Sequence, residues 1–214
     1  MVPAVEAGGP EVPSPTLSIP DIRDYQRINA ELVRLLDAGH GRIRLVGAEG
    51  QRLLAAGLSG VWEAVVEIEG FAGPELAAGL DAPGLSVVCR GPAADGAGSR
   101  LRDGRVMVLG DAGPSVGYAQ SGGTVVISGD AGPRAGLNQS GGVLVLLGAV
   151  GALAGERQSG GYLFAFGHRL GPHAGRGQTG GRFILMQPAA ALDPDGCAVL
   201  QSIMEEYTRT VGRR

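Results

Sequence analysis

The middle of the chain alternates five-residue apolar runs with glycine-rich segments of nearly constant length. The glycine-rich segments begin at Gly110, Gly129, Gly148 and Gly167, which gives a period of 19 residues. The first segment reads GDAGPSVGYAQSGG and the second reads GDAGPRAGLNQSGG. Short apolar runs bounded by glycine-rich corners indicate strands joined by turns, and a fixed period of this kind is typical of a solenoid. Because the repeat is too short for a strand and a crossover helix, we predict one coil of a parallel β-helix per repeat.

Alternate positions of the apolar runs form files along the predicted solenoid, because successive side chains of a strand point to opposite faces. Two files are assigned to the interior: Val106, Val125, Leu144, Leu163 and Phe183 in the first, and Val108, Ile127, Leu146, Ala165 and Leu185 in the second. The file between them faces outward and is also apolar: Met107, Val126, Val145, Phe164 and Ile184. A face in contact with water should carry polar residues at such positions. We therefore predict that the outer face is covered, either by a terminal segment of this chain or by another protein.

Segments of a different character flank the repeats. Residues 1–20 are rich in Pro, Gly, Ala and Glu and predict a disordered tail. Residues 21–40 predict an amphipathic helix that caps the first coil, with apolar side chains spaced three or four residues apart. Residues 188–214 predict a C-terminal helix and tail, and the helix should begin at Asp193-Pro194 because Asp is a good N-cap and Pro suits the first helical position.

The intervening segment, 41–187, is the predicted β-helix domain. Three looser coils beginning at Gly47, Gly70 and Gly91 precede the regular ones. The fold class is therefore all-β, a single-stranded right-handed parallel β-helix of about seven coils with flanking N- and C-terminal helices.

Composition agrees with this fold and limits the classes of function that the chain can have. The chain has 39 glycines among 214 residues and only 4% aromatic residues, which suits tight corners around an aliphatic core. A net charge of −3 gives no reason to expect a nucleic-acid partner. No apolar run approaches the roughly 20 residues of a membrane span. Cys89 and Cys197 form no CxxC motif, which favours a cytoplasmic location.

No residue constellation with catalytic, cofactor-binding or metal-ligating spacing emerges from the sequence. Each glycine loop leads into another strand and not into the helix that a phosphate site requires. His168 and His173 share a turn but have no obvious third metal ligand nearby. Cys89 lies within an apolar strand, and Asp111 and Asp130 open equivalent turns that their side chains can cap. We therefore predict no catalytic, cofactor-binding or metal site in this chain.

The glycine-rich repeat, GDAGxxxG followed by a glycine pair and a strand, resembles the GXGXG β-helix family. That family includes the C-terminal domain of the glutamate synthase large subunit, and one subunit each of formylmethanofuran dehydrogenase and of the related formyltransferase/hydrolase complex. Ile28-Asn29, the run AEGQRLLAAGLSG from Ala48 to Gly60 and the closing LQSIMEEYTRTVG resemble the stand-alone third part of split glutamate synthases. The resemblance extends over residues 21–212.

The resemblance implies a non-catalytic structural subunit of a glutamate-synthase-like complex in nitrogen transfer. Its implied partners are a class II glutamine amidotransferase subunit and an FMN-dependent synthase subunit, so the complex would be a hetero-oligomer. The FMN and the iron–sulfur cluster would belong to the synthase partner, because this chain has neither an N-terminal cysteine nor a cysteine cluster.

Three alternatives remain open. N-methylglutamate synthase uses the same kind of subunit, and an amidotransferase of specialised metabolism built from the same parts also stays open. It is also similar to the subunit of a formyltransferase/hydrolase complex related to formylmethanofuran dehydrogenase. An independent enzyme like the pectin-degrading β-helices would need carboxylates clustered on one strand face, and the sequence shows none.

One position departs from the pattern of the family. The residue two places before the glycine pair, usually a large apolar one, is Leu in the early coils and changes to Gln120, Gln139, Gln158 and Gln178 in the later ones. Equivalent side chains of a parallel stack lie about 4.8 Å apart, close enough for amide-to-amide hydrogen bonds. The column either satisfies itself as a ladder within the solenoid, or it lines a cavity or a partner's site.

Overall fold

The computed structural model of this chain describes residues 14–167, 169–185 and 194–211. The described strands are β1 (Thr16–Ser18), β2 (Arg42–Gln51), β3 (Ala64–Ala72), β4 (Asp81–Cys89), β5 (Asp103–Val108), β6 (Thr124–Ile127), β7 (Ser140–Leu146), β8 (Ser159–Ala165) and β9 (Gly180–Leu185). The described helices are α1 (Ile19–Ile22), α2 (Tyr25–Asp37) and α3 (Pro194–Val211). Every strand pairs in parallel with the next one along the chain, in one sheet of order β1 to β9. Parallel strands joined in this order by glycine-rich turns form a β-solenoid of about seven turns, which confirms the predicted fold.

The register of the solenoid is the one that the repeat predicts. Val106 pairs with Val125, which pairs with Leu144 and then Leu163, and all four side chains are fully buried. Both interior files lose their burial at β9, where Leu185 is 37% exposed, because no described coil follows it.

The segment before the first full strand is ordered from residue 14 onward, which corrects part of the predicted disordered tail. Thr16 to Ser18 pair with Arg44 to Val46 of β2, and Ile19 is completely buried. The free edge of β2 provides backbone partners, and the apolar end of the first coil provides a site for Ile19. Neither source of stability shows in the composition of the segment. Residues 1–13 lie outside the described residues.

The predicted capping helix is interrupted, and the main helix is α2. The break is at Arg23, which has a φ of 57° and so cannot continue a right-handed helix. Asp24 is the N-cap of α2, where its side chain accepts a hydrogen bond from the Gln26 amide at 2.9 Å.

The α2 helix covers the first coil and replaces the hydrogen bonds of a missing one. Ile28 and Leu32 are fully buried against the coil. Asn29 Nδ2 donates to Leu53 O at 2.8 Å, and Asn29 Oδ1 accepts from Ala55 N at 2.9 Å. In the next coil the equivalent amide of Ala77 donates instead to the carbonyl of the preceding coil. Asn29 therefore supplies the acceptor that an earlier coil would have provided.

The apolar outer face of the sheet is covered by this chain's own terminal helix α3. Leu200 and Ile203 of α3 pack on a file of side chains that all lie within 1% of complete burial: Val88, Met107, Val126, Val145 and Phe164. Polar contacts hold the helix in place at its C-terminal half, since Tyr207 shares a 2.7 Å hydrogen bond with Ser128 and Glu206 pairs with Arg105 at 2.5 Å. The sequence left open whether a terminal segment of this chain or another protein covers the outer face. In the structure the terminal segment covers it. The predicted N-cap Asp193 lies outside the described residues.

The outer face becomes polar toward the first coils. Glu67 is 4% exposed and accepts hydrogen bonds from Arg42 at 2.5 Å and from Arg90 at 2.9 Å. Two arginines on one carboxylate compensate for its burial. None of the helices in the described ranges is long and apolar enough to cross a membrane.

Candidate functional site

The glutamine column lies inside the solenoid, where it forms a continuous ladder. Gln120, Gln139 and Gln158 are fully buried, and Gln178 at the end of the column is exposed. Gln139 Nε2 approaches Gln120 Oε1 at 3.5 Å, and Gln158 Nε2 donates to Gln139 Oε1 at 3.2 Å. Gln178 Nε2 continues the series with a 3.2 Å bond to Gln158 Oε1.

Each carboxamide also caps the glycine turn that follows it. Gln120 Nε2 lies 3.0 Å from Gly122 O, 3.1 Å from Gly123 O and 3.1 Å from Val143 O of the next coil. Across the part of the chain that the structure describes, no buried side-chain nitrogen or oxygen lacks a hydrogen-bond partner. The geometry thus favours the self-satisfied ladder over a column that binds a ligand.

Breaking the ladder at one coil should destabilise the protein. We expect Gln139→Leu to lower the free energy of unfolding by about 2–3 kcal/mol, because Gln120 Oε1 loses its carboxamide donor while it stays buried. The measurement is urea unfolding of the isolated chain.

Replacing all four glutamines with Leu should destabilise the chain by much less than four times this amount, since donors and acceptors are then removed together. The earlier coils already carry buried leucines at this position, namely Leu58, Leu80 and Leu101. Activity of the assembled complex should survive the fourfold change. Loss of that activity in a folded fourfold variant would show that the column serves a site.

The other candidate residues, Cys89, Asp111 and Asp130, make contacts that hold the fold together. Cys89 is fully buried, with Sγ 3.4 Å from Gly91 O, and burial raises the pKa of its thiol, which keeps it protonated. Asp111 Oδ1 accepts from Asp130 N at 2.8 Å, and Asp130 Oδ1 accepts from Ala149 N at the same distance. The two carboxylates therefore join neighbouring corners by capping backbone amides.

The histidine pair of the last turn is described only in part. His173 is exposed and has a φ of 65°, and His168 lies outside the described residues. Among the residues that are described, no three His, Cys, Asp or Glu side chains lie together as metal ligands would.

Three open surface hollows formed by described residues lie near the first coils. One of about 230 Å³ is lined by Arg23, Tyr25, Glu49, Gly50, Gln51 and Arg52. Arg52 lies 5.7 Å from the centre of the Tyr25 ring, a cation–π distance. This set contains no Ser, Cys, Thr, His or Lys, so it holds no Ser–His or Cys–His pair.

No protein-family model matches the sequence, and no curated protein matches it significantly. A solved structure does resemble it: a chain of the formyltransferase/hydrolase complex from Methylorubrum extorquens, determined with methylofuran. The similarity has a TM-score of 0.61 at 25% sequence identity, and it covers 80% of this chain and 67% of that one. This similarity supports the β-solenoid fold. Of the alternatives that the sequence left open, it supports the one related to a formyltransferase/hydrolase complex. Membership of the glutamate synthase family is not confirmed.

Proposed function

We propose that this chain is a non-catalytic structural subunit of a hetero-oligomeric enzyme complex of the formyltransferase/hydrolase class. The observation that carries the proposal is the similarity to a chain of such a complex over four-fifths of this protein. The proposal replaces the glutamate-synthase-like role as the first choice, because the similarity favours the alternative that the sequence left open.

The polar groups of the solenoid support a structural role. The buried glutamines bond to one another and to the glycine turns, and Asp111 and Asp130 bond to the backbone of the next corner. The Glu67 carboxylate is occupied by two arginines. Groups committed to holding coils together are not available to bind or activate a substrate, so catalysis would belong to partner chains.

A glutamate-synthase-like complex is the second candidate. The specific observation in its favour is the resemblance of Ile28-Asn29 and the Ala48–Gly60 run to split glutamate synthases. The structure brings these two stretches together, because Asn29 bonds to Leu53 and Ala55. The partners would then be a glutamine amidotransferase and an FMN-dependent synthase that holds the FMN and the iron–sulfur cluster.

Affinity purification of the tagged full-length chain from its native host separates the two candidates. The first predicts that formyltransferase and hydrolase chains co-purify with it in fixed stoichiometry. Recovery of flavoprotein and glutaminase chains would replace the first candidate by the second. The isolated chain is expected to bind no flavin and to release no ammonia from glutamine. Turnover by the purified chain alone would contradict both.

A further inference from the structure

In the last described coil, backbone amides that every regular coil before it uses find no acceptor among the described residues. We call residues 169–185 the terminal coil. In the preceding coil the amides of Val150, Leu153 and Arg157 donate to carbonyls of the terminal coil at 2.8–2.9 Å. The equivalent amides of the terminal coil belong to Leu170, His173 and Gly177, and they have no acceptor within the described residues.

Side chains of the terminal coil likewise have no following coil to pack on among the described residues. Leu170 and Phe183 are half-buried, and Leu185 is 37% exposed, whereas their equivalents in earlier coils are interior. Each earlier glutamine of the ladder has its Oε1 facing the Nε2 of the next coil, and Gln178 Oε1 has no such donor among the residues described. The opposite end is covered by α2, where Asn29 serves as the substitute acceptor. The two ends are thus built differently, and the terminal coil has the geometry of an edge prepared for one more strand.

The charge of the terminal coil indicates what kind of strand it would accept. Its ionisable side chains are all basic, and no Asp or Glu occurs between residues 169 and 185: Arg169, His173, Arg176 and Arg182. The three preceding coils each contain a carboxylate. A second copy that stacked its own terminal coil here would bring arginines against arginines, which disfavours self-association. Segment 186–193 of this chain carries a single carboxylate, Asp193, at its far end.

We infer that the terminal coil is the docking surface for an extended acidic segment of a partner polypeptide. The segment adds in parallel to β9, accepts hydrogen bonds from the exposed turn amides and places carboxylates near Arg169 and Arg176. The inference rests on the proposed hetero-oligomeric assembly and goes beyond it by assigning the surface and the chemistry of the partner.

Site-specific photo-crosslinking in the native host tests this assignment. A photoreactive amino acid is placed at Arg176, and the matched control places it at Leu137, which occupies the same turn position two coils earlier. The expected product from position 176 is a crosslink to a carboxylate-rich segment of another chain, with at most a minor yield from position 137. Crosslinks to a second copy, to residues 186–193 of the same chain, or in equal yield at both positions would overturn the inference.

Charge reversal supplies an independent measurement. The Arg169→Glu/Arg176→Glu variant should weaken the purified complex at least about tenfold, and the loss should shrink as ionic strength rises. The control Arg27→Glu/Arg134→Glu makes the same change in net charge at exposed positions away from the terminal coil and should leave affinity unchanged. Thermal unfolding checks that both variants are folded.

The outcomes separate this inference from the proposed function. Partner chains that co-purify with undiminished affinity after charge reversal would contradict the docking surface alone. A chain that purifies without any partner would contradict the proposed function and, with it, this inference.

Discussion

Gly122→Ala is expected to destabilise the solenoid by about 3 kcal/mol or more, although it adds a single methyl group. A Cβ at this position would lie 2.0 Å from Arg102 O, a backbone atom of the preceding coil. Real Cβ atoms do not approach carbonyl oxygens so closely, so the two coils must separate locally. That separation would stretch the hydrogen bonds that Ser121 and Gly122 donate to Leu101.

Gly79→Ala is the matched control for this prediction. Gly79 has a φ of 66°, but a Cβ there would meet nothing within 4 Å. Its cost should be about 1 kcal/mol, the strain of a left-handed alanine, which Ala77 already adopts with a φ of 51°. Urea unfolding of the isolated chain measures both variants. Equal losses would show that the spacing between coils does not restrict Gly122.

The contrast explains why the glycines occur in pairs. The first member of the pair, Gly122, needs the absence of a side chain because the preceding coil lies against it. The second member, Gly123, has a φ of 60° and would also place a Cβ within 2.6 Å of a backbone oxygen. Because the later coils stack at the same strand spacing, both requirements recur at each of their glycine pairs, Gly141-Gly142, Gly160-Gly161 and Gly180-Gly181. This is why the repeat alone predicted the parallel sheet, its register and its interior files.

The sequence was a poorer guide to local structure wherever that structure depends on a contact with a residue distant along the chain. The strand at Thr16–Ser18 forms because β2 has a free edge, which the composition of residues 14–20 does not reveal. Many corner residues other than glycine adopt positive φ, for example Ser115 and Arg134. Hydrogen bonds between coils hold those corners, so local propensity could not identify them.

The same contrast holds for the glutamine column, which the sequence revealed, and the basic terminal coil, which it did not. The glutamine column is visible as a change of residue type at one register position, and its hydrogen bonds follow from the stacking that the repeat predicted. The basic terminal coil does not stand out in the sequence, because a turn with arginines is ordinary until the structure shows that no described coil follows it. A comparison of charges coil by coil shows the absence of Asp and Glu from residues 169–185, but the structure is needed to show that no described coil follows.

The cover of the outer face leads to the second large prediction. Phe164 points away from the interior, yet it is fully buried and its ring stacks at 5.8 Å on Tyr162 under α3. We expect Phe164→Ala to reduce the free energy of unfolding of the isolated chain by about 3–5 kcal/mol. If a partner protein were the true cover, Phe164 would be exposed in the isolated chain and the loss would stay below about 1 kcal/mol.

Two substitutions in α3, one on its buried side and one on its exposed side, test the same contact as a matched pair. Ile203 is 8% exposed and packs in the cluster that contains Phe164, so Ile203→Asp would bury a carboxylate without a partner or release the helix. Gln201→Asp introduces the same carboxylate on the exposed side of α3 and should change stability by no more than about 0.5 kcal/mol. A released helix would expose the apolar file from Val88 to Phe164, so we also expect Ile203→Asp to make the isolated chain self-associate, as measured by light scattering. An isolated Ile203→Asp protein as stable and as monomeric as Gln201→Asp would mean that α3 is not the cover and that the outer face is available to a partner.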